Sequence, residues 1–571
     1  MNKMPSLTYN LSLLQTMRPL SAALLFAVSP LAAQPASPVV PGAGDILRQM
    51  VPLTPPAPSP SWNGLTIERA DGAQLPPSAP FLVQLIQITG NTLLDTATLH
   101  ALVADAQGQT LTLSQLGELA ARITSTYQNK GYPLARAFIP AQTIASGIVR
   151  IEVIEASYGK ISLDNRSRVK DDLLQAILAP LQTGQAVDQR GLDHALLLAS
   201  DIAGVVAGAT LKPGEVVGTS DLLVNITPGP AVSGNVVLDN YGDGNTGRAR
   251  IGGTVIVINP LQHGDVLTVS GLSSGSGLNN ARLGYETLLN GQGTRLGGAY
   301  SALRYAMGKP LAALQANGSA GVASLWAKHP LLRSRDVNIY GQLQFDSLQL
   351  RDHLDVSAIK TDRDLHNWTL TLAGDTRDAL LSGGINTWSL GWTAGRVGFG
   401  NAAAQLADAE TAGTQGKFSK WNANLARMQS LSPKDTLYFA FTGQWANTNL
   451  DASQKMSVGG PYSVRAYDTG SLSGDTGYLT TVELRHTLGT AWSGQWQAVA
   501  FVDAARVTVN KSAWILGVNS DNLSGAGVGM NWAGPQQWRV KTYVATRLGS
   551  VPKLVASSAS TIAWFELSRG F

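Results

Sequence analysis

The chain has 571 residues, no cysteine, 14% charged residues and a formal net charge of +4. The missing cysteines exclude a disulfide scaffold, a thiol nucleophile and thiolate metal sites, and so small a charge over this length argues against nucleic-acid binding. Few charges together with 60 glycines are unusual for a soluble enzyme. Beyond the N-terminus, no apolar run reaches the roughly 18 residues of a membrane-spanning helix.

The N-terminus is typical of an export signal. Lys3 and Arg18 precede an apolar run over residues 20–28, and a Pro-Leu-Ala-Ala stretch ends at Ala33. Because this run is too short to span a bilayer, removal after export is favoured over anchoring. We therefore predict a signal peptide over residues 1–33.

Residues 34–76 are rich in proline, alanine and serine. This composition predicts an extended linker that buries no hydrophobic core. Within it, GDILRQM at residues 44–50 is long enough for two helical turns. A frayed terminus is the alternative interpretation of the same segment.

Residues 77–156 and 157–230 each show the order strand, helix, helix, strand, strand, which is an internal repeat. In the first copy, Thr112 and Gln115 match a helix capping box, and apolar residues follow at helical spacing. Each copy is predicted to form an antiparallel sheet covered by helices on one face. The order resembles the POTRA modules of outer-membrane assembly and secretion proteins, so we predict two POTRA domains.

From residue 231 to the C-terminus the helices are predicted to stop, and the segments alternate between apolar and polar residues. In residues 436–445, one face is apolar and the other polar, as in a barrel wall between lipid and water. We predict a transmembrane antiparallel β-barrel of about sixteen strands, residues 231–571, so that the fold is mainly β. The predicted strands begin near residues 232, 249, 265, 279, 294, 319, 337, 366, 387, 417, 436, 478, 495, 523, 538 and 561.

A long glycine-rich loop, GGPYSVRAYDTGSLSGDTG at residues 459–477, interrupts these strands and carries Arg465. On the strand at residues 495–507, strict alternation places Phe501 and Asp503 on the face that points into the lumen. An inward-folded loop would bring Arg465 to Asp503. A partly buried, two-pronged arginine–carboxylate pair is stronger than a surface pair, because the fork matches the carboxylate and screening is weaker.

At this point the chain resembles the TpsB transporters of two-partner secretion, the hemolysin secretion/activation proteins. The family's loop motif VRGY corresponds here to Val464-Arg465-Ala466-Tyr467, and its strand motif F-x-D-x-G corresponds to residues 501–505, with Phe501 and Asp503 retained. Alanine replaces glycine in both motifs. Since alanine tolerates positive φ poorly, we expect a slightly different backbone at the loop tip.

The resemblance implies an outer-membrane translocator whose POTRA modules, in the periplasm, capture an unfolded exoprotein that then crosses the barrel. It further implies that the loop folds into the barrel with Arg465 on the F-x-D strand, and that segment 44–50 can occupy the pore. Its expected partners are the exoprotein, the lipid bilayer and, through the C-terminal Phe571, the barrel-assembly machinery, but no nucleic acid. Neither catalytic residues nor a metal or other cofactor are expected.

Two alternatives belong to the same class of membrane proteins. An outer-membrane insertase would serve many barrel proteins, but members of that kind usually carry more POTRA modules. A plain diffusion porin would not need residues 80–230. The sequence leaves the client open between a cytolysin, an adhesin and a contact-dependent toxin.

Other motifs favour ordinary structure. GLSSG at residues 271–275 matches the G-x-S-x-G hydrolase pattern, but it is not followed by a helix and is predicted to be a loop. Asp239 and Asp243 lack the rest of a calcium loop and predict a turn. Glu483 and Arg485 both point inward by parity and are interpreted as an ordinary lumen ion pair.

Overall fold

We describe the chain from a computed structural model, which covers residues 40–50, 55–62, 64–68, 76–144, 146–308, 311–555 and 559–571. The predicted signal peptide, residues 1–33, lies outside the described residues, as do parts of the predicted linker. Among the residues described, no helix is long and apolar enough to cross a membrane.

The segment before the first module contains a helix and a strand. Helix α1 (Ala43–Gln49) is the two-turn helix, and the Asp45 carboxylate accepts a hydrogen bond from the Gly42 backbone N–H at 3.1 Å. Strand β1 (Leu65–Ile67) follows, and the Trp62 side chain before it is buried. The prediction that this linker buries no core is therefore wrong at Trp62 and β1. The sequence did not indicate this strand, because three residues are too few to show a periodicity within a proline-rich segment.

The first module has one long helix packed on a small sheet. Its elements are β2 (Phe81–Leu82), β3 (Leu85–Thr89), α2 (Thr96–Ala101), β4 (Thr110–Leu111), α3 (Leu113–Asn129), β5 (Arg136–Phe138) and β6 (Ile148–Ile154). The predicted capping box begins α3, with Thr112 and Gln115 each bonding the other's backbone. The core forms where the apolar face of α3 meets the sheet; its helix residues are Leu116, Leu119, Ala120, Ile123 and Tyr127.

The second module repeats this plan. Its elements are β7 (Ser157–Asn165), α4 (Asp171–Leu178), α5 (Gln189–Ser200), β8 (Val205–Pro213) and β9 (Thr219–Pro228). The sheet orders are β3-β6-β5 and β1-β8-β9-β7. Both sheets are mixed rather than antiparallel as predicted, because the helices carry the chain over the sheet and β3 and β7 pair in parallel with β6 and β9.

Sixteen strands close into a barrel in chain order, which confirms the predicted architecture. Their bounds, with the loop elements between them, are β10 (Val232–Asp239), β11 (Arg250–Ile258), β12 (Val266–Ser273), β13 (Leu278–Leu288), β14 (Arg295–Ala306), β15 (Ala316–Arg333), β16 (Val337–Leu354), β17 (Ile359–Asp378), β18 (Gly384–Phe399), α6 (Ala402–Ala409), β19 (Gly416–Ser430), β20 (Asp435–Ala446), β21 (Met456–Val458), β22 (Leu472–Gly474), β23 (Thr476–Ala491), β24 (Gly494–Thr508), β25 (Ser520–Ala533), β26 (Trp538–Arg547) and β27 (Thr561–Gly570).

All neighbouring barrel strands are antiparallel, and the barrel closes where β10 pairs with β27, from Asn235 opposite Gly570 to Asp239 opposite Glu566. Helix α6 is a correction, since helices were predicted to stop before the barrel. Asn401 caps its N-terminus by accepting the Ala404 N–H at 2.8 Å, and the helix forms part of the connection between β18 and β19.

The barrel wall shows the predicted alternation. On β24 the Val502 side chain is 48% exposed, whereas Asp503 is fully buried. The buried set points into a lumen filled by other parts of the chain, and the exposed set forms the outer face. At one end, the β15–β16 turn touches the second module, where the Arg333 guanidinium donates to both oxygens of Asp201 at 2.7 and 2.8 Å.

Candidate functional site inside the barrel

Residues 447–475, between β20 and β23, form an inward loop that enters the lumen. Strands β21 and β22 pair within it as a short hairpin, from Met456 opposite Gly474 to Val458 opposite Leu472. Their side chains join a buried cluster with the lumen face of β24. The loop is therefore a packed part of the barrel interior.

The tip of the inward loop is a tight turn. The Tyr467 N–H donates to the Val464 carbonyl at 3.1 Å, and the Gly460 N–H donates to the Tyr467 carbonyl at 2.9 Å. Gly459 has a φ of 101°, and a Cβ there would lie 2.3 Å from the Asp468 carbonyl oxygen. Only glycine fits such a position. The turn buries Val464 and Tyr467 and directs Arg465 at the barrel wall.

Arg465 binds Asp503 through both prongs of its guanidinium. The Nε and Nη2 atoms donate to the two carboxylate oxygens at 2.8 and 2.7 Å, and the Arg465 backbone N–H adds a bond of 3.2 Å. Thr481 Oγ1 donates to the same carboxylate at 3.0 Å. The pair is dry, since the Arg465 side chain is 4% exposed and that of Asp503 is not exposed at all. Parity and the loop motif indicated this contact.

A second ion pair, between Glu483 and Arg485, adjoins the first. Arg465 Nη1 donates to Glu483 Oε1 at 2.7 Å, and the other Glu483 oxygen accepts from Arg485 Nε and Nη2 at 2.8 and 2.6 Å. The predicted lumen ion pair between Glu483 and Arg485 is present, but Glu483 also binds Arg465, which was not predicted. Parity placed both in the lumen, but it carried no information about how far the inward loop reaches.

Aromatic side chains enclose the guanidinium. The Arg465 Cζ lies 3.4 Å from the centre of the Phe501 ring and 5.5 Å from that of Tyr543. The buried Trp564 indole donates to the Arg465 carbonyl at 2.7 Å. The sequence motifs did not indicate Tyr543 or Trp564, although alternation on β26 and β27 could have placed both on the lumen face.

The loop tip accommodates alanine without strain. The backbone at Ala466 does not have a positive φ, so alanine is not forced into the left-handed conformation that favours glycine. Its methyl group instead packs against β25, where a Cβ on Gly525 would lie 2.4 Å from the Ala466 Cβ. Ala505, the other alanine that replaces a motif glycine, is buried in the same cluster.

Helix α1 also lies in the lumen, against the inward loop. The Ala43 N–H donates to Asp352 Oδ1 at 2.7 Å near the far end of β16, and Arg48 Nε donates to the Lys455 carbonyl at 3.1 Å. A Cβ on Gly44 would lie 2.6 Å from the backbone nitrogen of Ser453. The helix and the loop thus fill the lumen together.

The remaining candidate motifs have structural roles. Asp239 accepts two hydrogen bonds from Arg250, and Asp243 closes a turn on the Asn245 N–H. Residues 271–273 lie within strand β12, so this serine motif has no strand-to-helix turn. In the described part of the chain, no group of three or more His, Cys, Asp or Glu side chains is placed to hold a metal.

Comparison with known families decides the identity of this architecture. The model of the haemolysin secretion/activation proteins ShlB/FhaC/HecB matches residues 218–532, and that of the ShlB-type POTRA domain matches residues 81–156. The chain belongs to the ShlB/FhaC/HecB family. It is therefore an outer-membrane protein of two-partner secretion that carries an exoprotein across its barrel, with the modules in the periplasm.

Curated relatives agree with this membership. The Heme/hemopexin transporter protein HuxB of Haemophilus influenzae strain 86-028NP is 29% identical over 77% of this chain and 79% of that protein. The outer membrane transporter CdiB of Escherichia coli is 24% identical over 80% of this chain and 76% of that protein.

Solved structures show the same fold. CdiB from Escherichia coli superposes with a TM-score of 0.69 at 22% identity, covering 89% of this chain and 93% of that one. BamA from Haemophilus ducreyi lacking POTRA domains 1–3 gives a TM-score of 0.51 at 16% identity, covering 86% of this chain and all of that one.

Proposed function

We propose that this family member is a dedicated translocator: its two POTRA modules capture one unfolded exoprotein in the periplasm and feed it through the barrel to the cell surface. The observation that carries this proposal is the filling of the lumen. Helix α1 and the inward loop occupy it, and both belong to the chain itself. A lumen closed by such an element suits an intermittent passenger better than steady diffusion.

We infer that the site around Arg465 is a latch and that the protein acts without catalytic chemistry or a cofactor. Arg465 and Arg485 together balance the charges of Asp503 and Glu483, and the Nε, Nη1 and Nη2 atoms of Arg465 are all hydrogen-bonded. Such a pair fixes geometry because breaking it leaves an unpaired buried charge. The latch would hold the inward loop against β23 and β24 while a polypeptide moves past.

Recognition of Phe571 by the barrel-assembly machinery is part of the proposal. Phe571 pairs with Gly234 through two backbone hydrogen bonds of 3.0 and 3.1 Å at the seam between β10 and β27, and its ring remains exposed. An exposed aromatic at the closing seam is available to an assembly factor before the barrel closes.

The alternative is an insertase with many barrel clients. Comparing the culture medium and the outer membrane with and without this gene separates the two. A dedicated translocator predicts loss of one large protein from the medium, restored by the wild-type gene, with other barrel proteins unchanged. Loss of many barrel proteins from the membrane would establish the insertase instead.

A further inference from the structure

Two cationic side chains lie next to each other on the outer face of the barrel. Arg396 on β18 and Lys417 on β19 are directly opposite in the ladder between these strands, and both are exposed. Their neighbours in the chain, Val397 and Phe418, are buried, so alternation directs the two cations outward. Like charges at directly opposed positions of an antiparallel pair destabilise it.

The chain provides no counter-charge for this pair. Among the residues that the structure describes, neither the Arg396 guanidinium nor the Lys417 ammonium forms an ion pair or a hydrogen bond. Two carboxylates on the neighbouring strand β17, those of Asp362 and Asp364, lie 3.9 and 2.9 Å from the Arg351 guanidinium. Two adjacent positive charges therefore face outward, while the acidic side chains beside them are engaged by another arginine.

The pair lies at the end of the barrel that is remote from the periplasmic modules. The second module contacts the β15–β16 turn, where Arg333 binds Asp201. Val337, directly after that turn, pairs with Thr376 near the end of β17, and the chain then turns into β18. Strand β18 therefore starts at the periplasmic end, and Arg396 lies near its extracellular end.

Tryptophans on the same strands mark the boundary of the membrane. Trp392, Trp421 and Trp445 are in register across β18, β19 and β20, and all three are exposed on the outer face. Indole rings concentrate at the level where hydrocarbon meets head groups. Arg396 and Lys417 each lie four residues beyond one of these tryptophans, which is about 13 Å along a strand. The two cations are therefore at the level of the head groups of the outer leaflet.

Polar side chains extend this patch across β17 and β16. His366 lies opposite Arg396, and Ser347 lies opposite His366 on the next strand. Gln349 follows on the same face of β16 and is exposed. These hydroxyl, amide and imidazole groups can exchange hydrogen bonds with sugar hydroxyls. The patch thus combines two unpaired cations with a row of groups suited to a carbohydrate.

We propose that this outer-face patch, formed by Arg396, Lys417, His366 and Ser347, binds a phosphorylated glycolipid of the outer leaflet. A phosphate between the two cations accepts hydrogen bonds from the Arg396 guanidinium in its fork geometry and from the Lys417 ammonium as a point charge. Basic clusters at a membrane surface recognise anionic head groups in this way. The proposal depends on the outer-membrane location of the barrel and not on the translocator function.

The wall towards the membrane centre favours a lipid as the occupant. The outward side chains there are Trp368, Leu370 and Trp392, which are exposed and apolar enough to contact acyl chains. A free phosphate would gain nothing from this surface. Bound lipid replaces the repulsion between the two cations with two attractive contacts, and so it stabilises the ends of β18 and β19, between which the connection containing α6 runs.

Titration with bisphosphorylated lipid A tests the site in the purified full-length protein. The protein is kept in detergent with EDTA, so that divalent cations cannot bridge phosphates to carboxylates, and heat unfolding of the barrel is followed by electrophoretic mobility. Lipid A should raise the unfolding temperature of the wild type. Arg396→Gln with Lys417→Gln should raise the half-effective lipid concentration at least tenfold, whereas Arg396→Lys with Lys417→Arg keeps both charges and should stay within threefold. The matched control, Arg506→Gln, removes an exposed cation that lies opposite Tyr478 and Asn522 rather than another cation, and should also stay within threefold.

Further arms separate the possible ligands. Dephosphorylated lipid A should stabilise the wild type no more than the double glutamine variant. An equal response of these two proteins to bisphosphorylated lipid A overturns the proposal. Equal half-effective concentrations of phosphatidylglycerol and lipid A, or full stabilisation by inorganic phosphate alone, overturn the assignment to a glycolipid. Without lipid, the double variant should unfold at the same or a higher temperature, because the repulsion is gone; a lower temperature would show that the chain itself compensates the two charges, and overturns the proposal. Secretion is not a readout, so failure of the translocator function leaves this test intact.

Discussion

Arg465 and Asp503 lie 38 residues apart in the chain, and their side chains meet in two parallel hydrogen bonds of 2.8 and 2.7 Å. The contact fastens the tip of the inward loop to β24, while Glu483 ties it to β23. Because the pocket is dry, loss of Arg465 would leave the Asp503 carboxylate buried without a cation, whereas Glu483 would keep its pair with Arg485.

Arg465→Ala should leave the barrel inserted in the outer membrane but largely stop secretion. Removing one partner of a buried ion pair costs about 3–5 kcal/mol, which is enough to free the loop tip. Arg465→Lys should rescue little, since an ammonium cannot supply the fork that both carboxylates use. Secreted exoprotein and barrel amount are measured together.

Arg485→Ala is the matched control for this prediction. Arg485 binds the Glu483 oxygen that Arg465 does not use, lies over the Tyr438 ring and is partly exposed, so its loss keeps the pair between Arg465 and Asp503. Secretion should fall much less than in Arg465→Ala. Wild-type secretion by Arg465→Ala, with normal barrel amounts, would contradict the latch.

Gly525→Ala should unseat the loop tip, and Ala466→Gly should restore it. The new Cβ would lie 2.4 Å from the Ala466 Cβ, whereas its next neighbour, the Thr546 carbonyl oxygen, is 3.3 Å away. Overpacking of this kind costs about 1–3 kcal/mol. The temperature at which the barrel unfolds, measured by its electrophoretic mobility, should fall in the single variant and recover in the double variant. Equal stability of Gly525→Ala with and without the second change would refute the contact.

Gly44→Leu should expel α1 and open the pore. Even a Cβ at this position meets the Ser453 backbone at 2.6 Å, and a larger side chain has no flexible neighbour to displace. The conductance of the purified protein in planar bilayers should rise towards that of a variant lacking residues 41–50. A conductance equal to the wild type would show that α1 tolerates the substitution, or that it does not restrict ion flow.

The first module should lose stability in acid through Glu155. Burial raises the pKa of this carboxyl, whereas hydrogen bonds from Thr92, Tyr127 and Leu93 lower it. Together the hydrogen bonds outweigh burial, so the net pKa lies below the ordinary glutamate value. A group with a depressed folded pKa stabilises the fold above its unfolded pKa, about 4.3, and loses that contribution as the pH falls through the folded value.

Glu155→Gln measures this contribution in the full-length protein. At pH 7 the variant should destabilise α3 by about 1 kcal/mol, a low figure for charged hydrogen bonds because Glu155 is partly exposed. The difference from the wild type should shrink as the pH falls below about 4.3 and vanish once the pH lies below the folded pKa, as judged by urea-dependent proteolysis of the module. Glu118→Gln, on the exposed face of α3, should match the wild type at every pH. A difference that persists in acid would contradict the assignment.

Much of the barrel could be predicted because a strand's two faces meet different solvents. Alternation on β24 correctly placed Phe501 and Asp503 inward and Val502 outward. The predicted strand starts lie close to those observed, except that β17 begins at Ile359 rather than near residue 366. Alternation along a strand, however, predicts only which face of the barrel wall a side chain lies on, and not which other side chains it contacts. It could not show that Glu483 would share Arg465 with Asp503, or that Tyr543 and Trp564 would enclose the guanidinium.

The amino-acid sequence by itself determined the elements whose pattern is local and repeated: the strand alternation and the capping box at Thr112. Only the tertiary structure decided where single side chains with no periodic neighbours come to rest. Trp62 and β1 complete a sheet that begins over 90 residues later, and Gly525 leaves the space that Ala466 fills. Such contacts depend on the closed barrel and the folded module bringing distant segments together, and no local periodicity encodes that proximity.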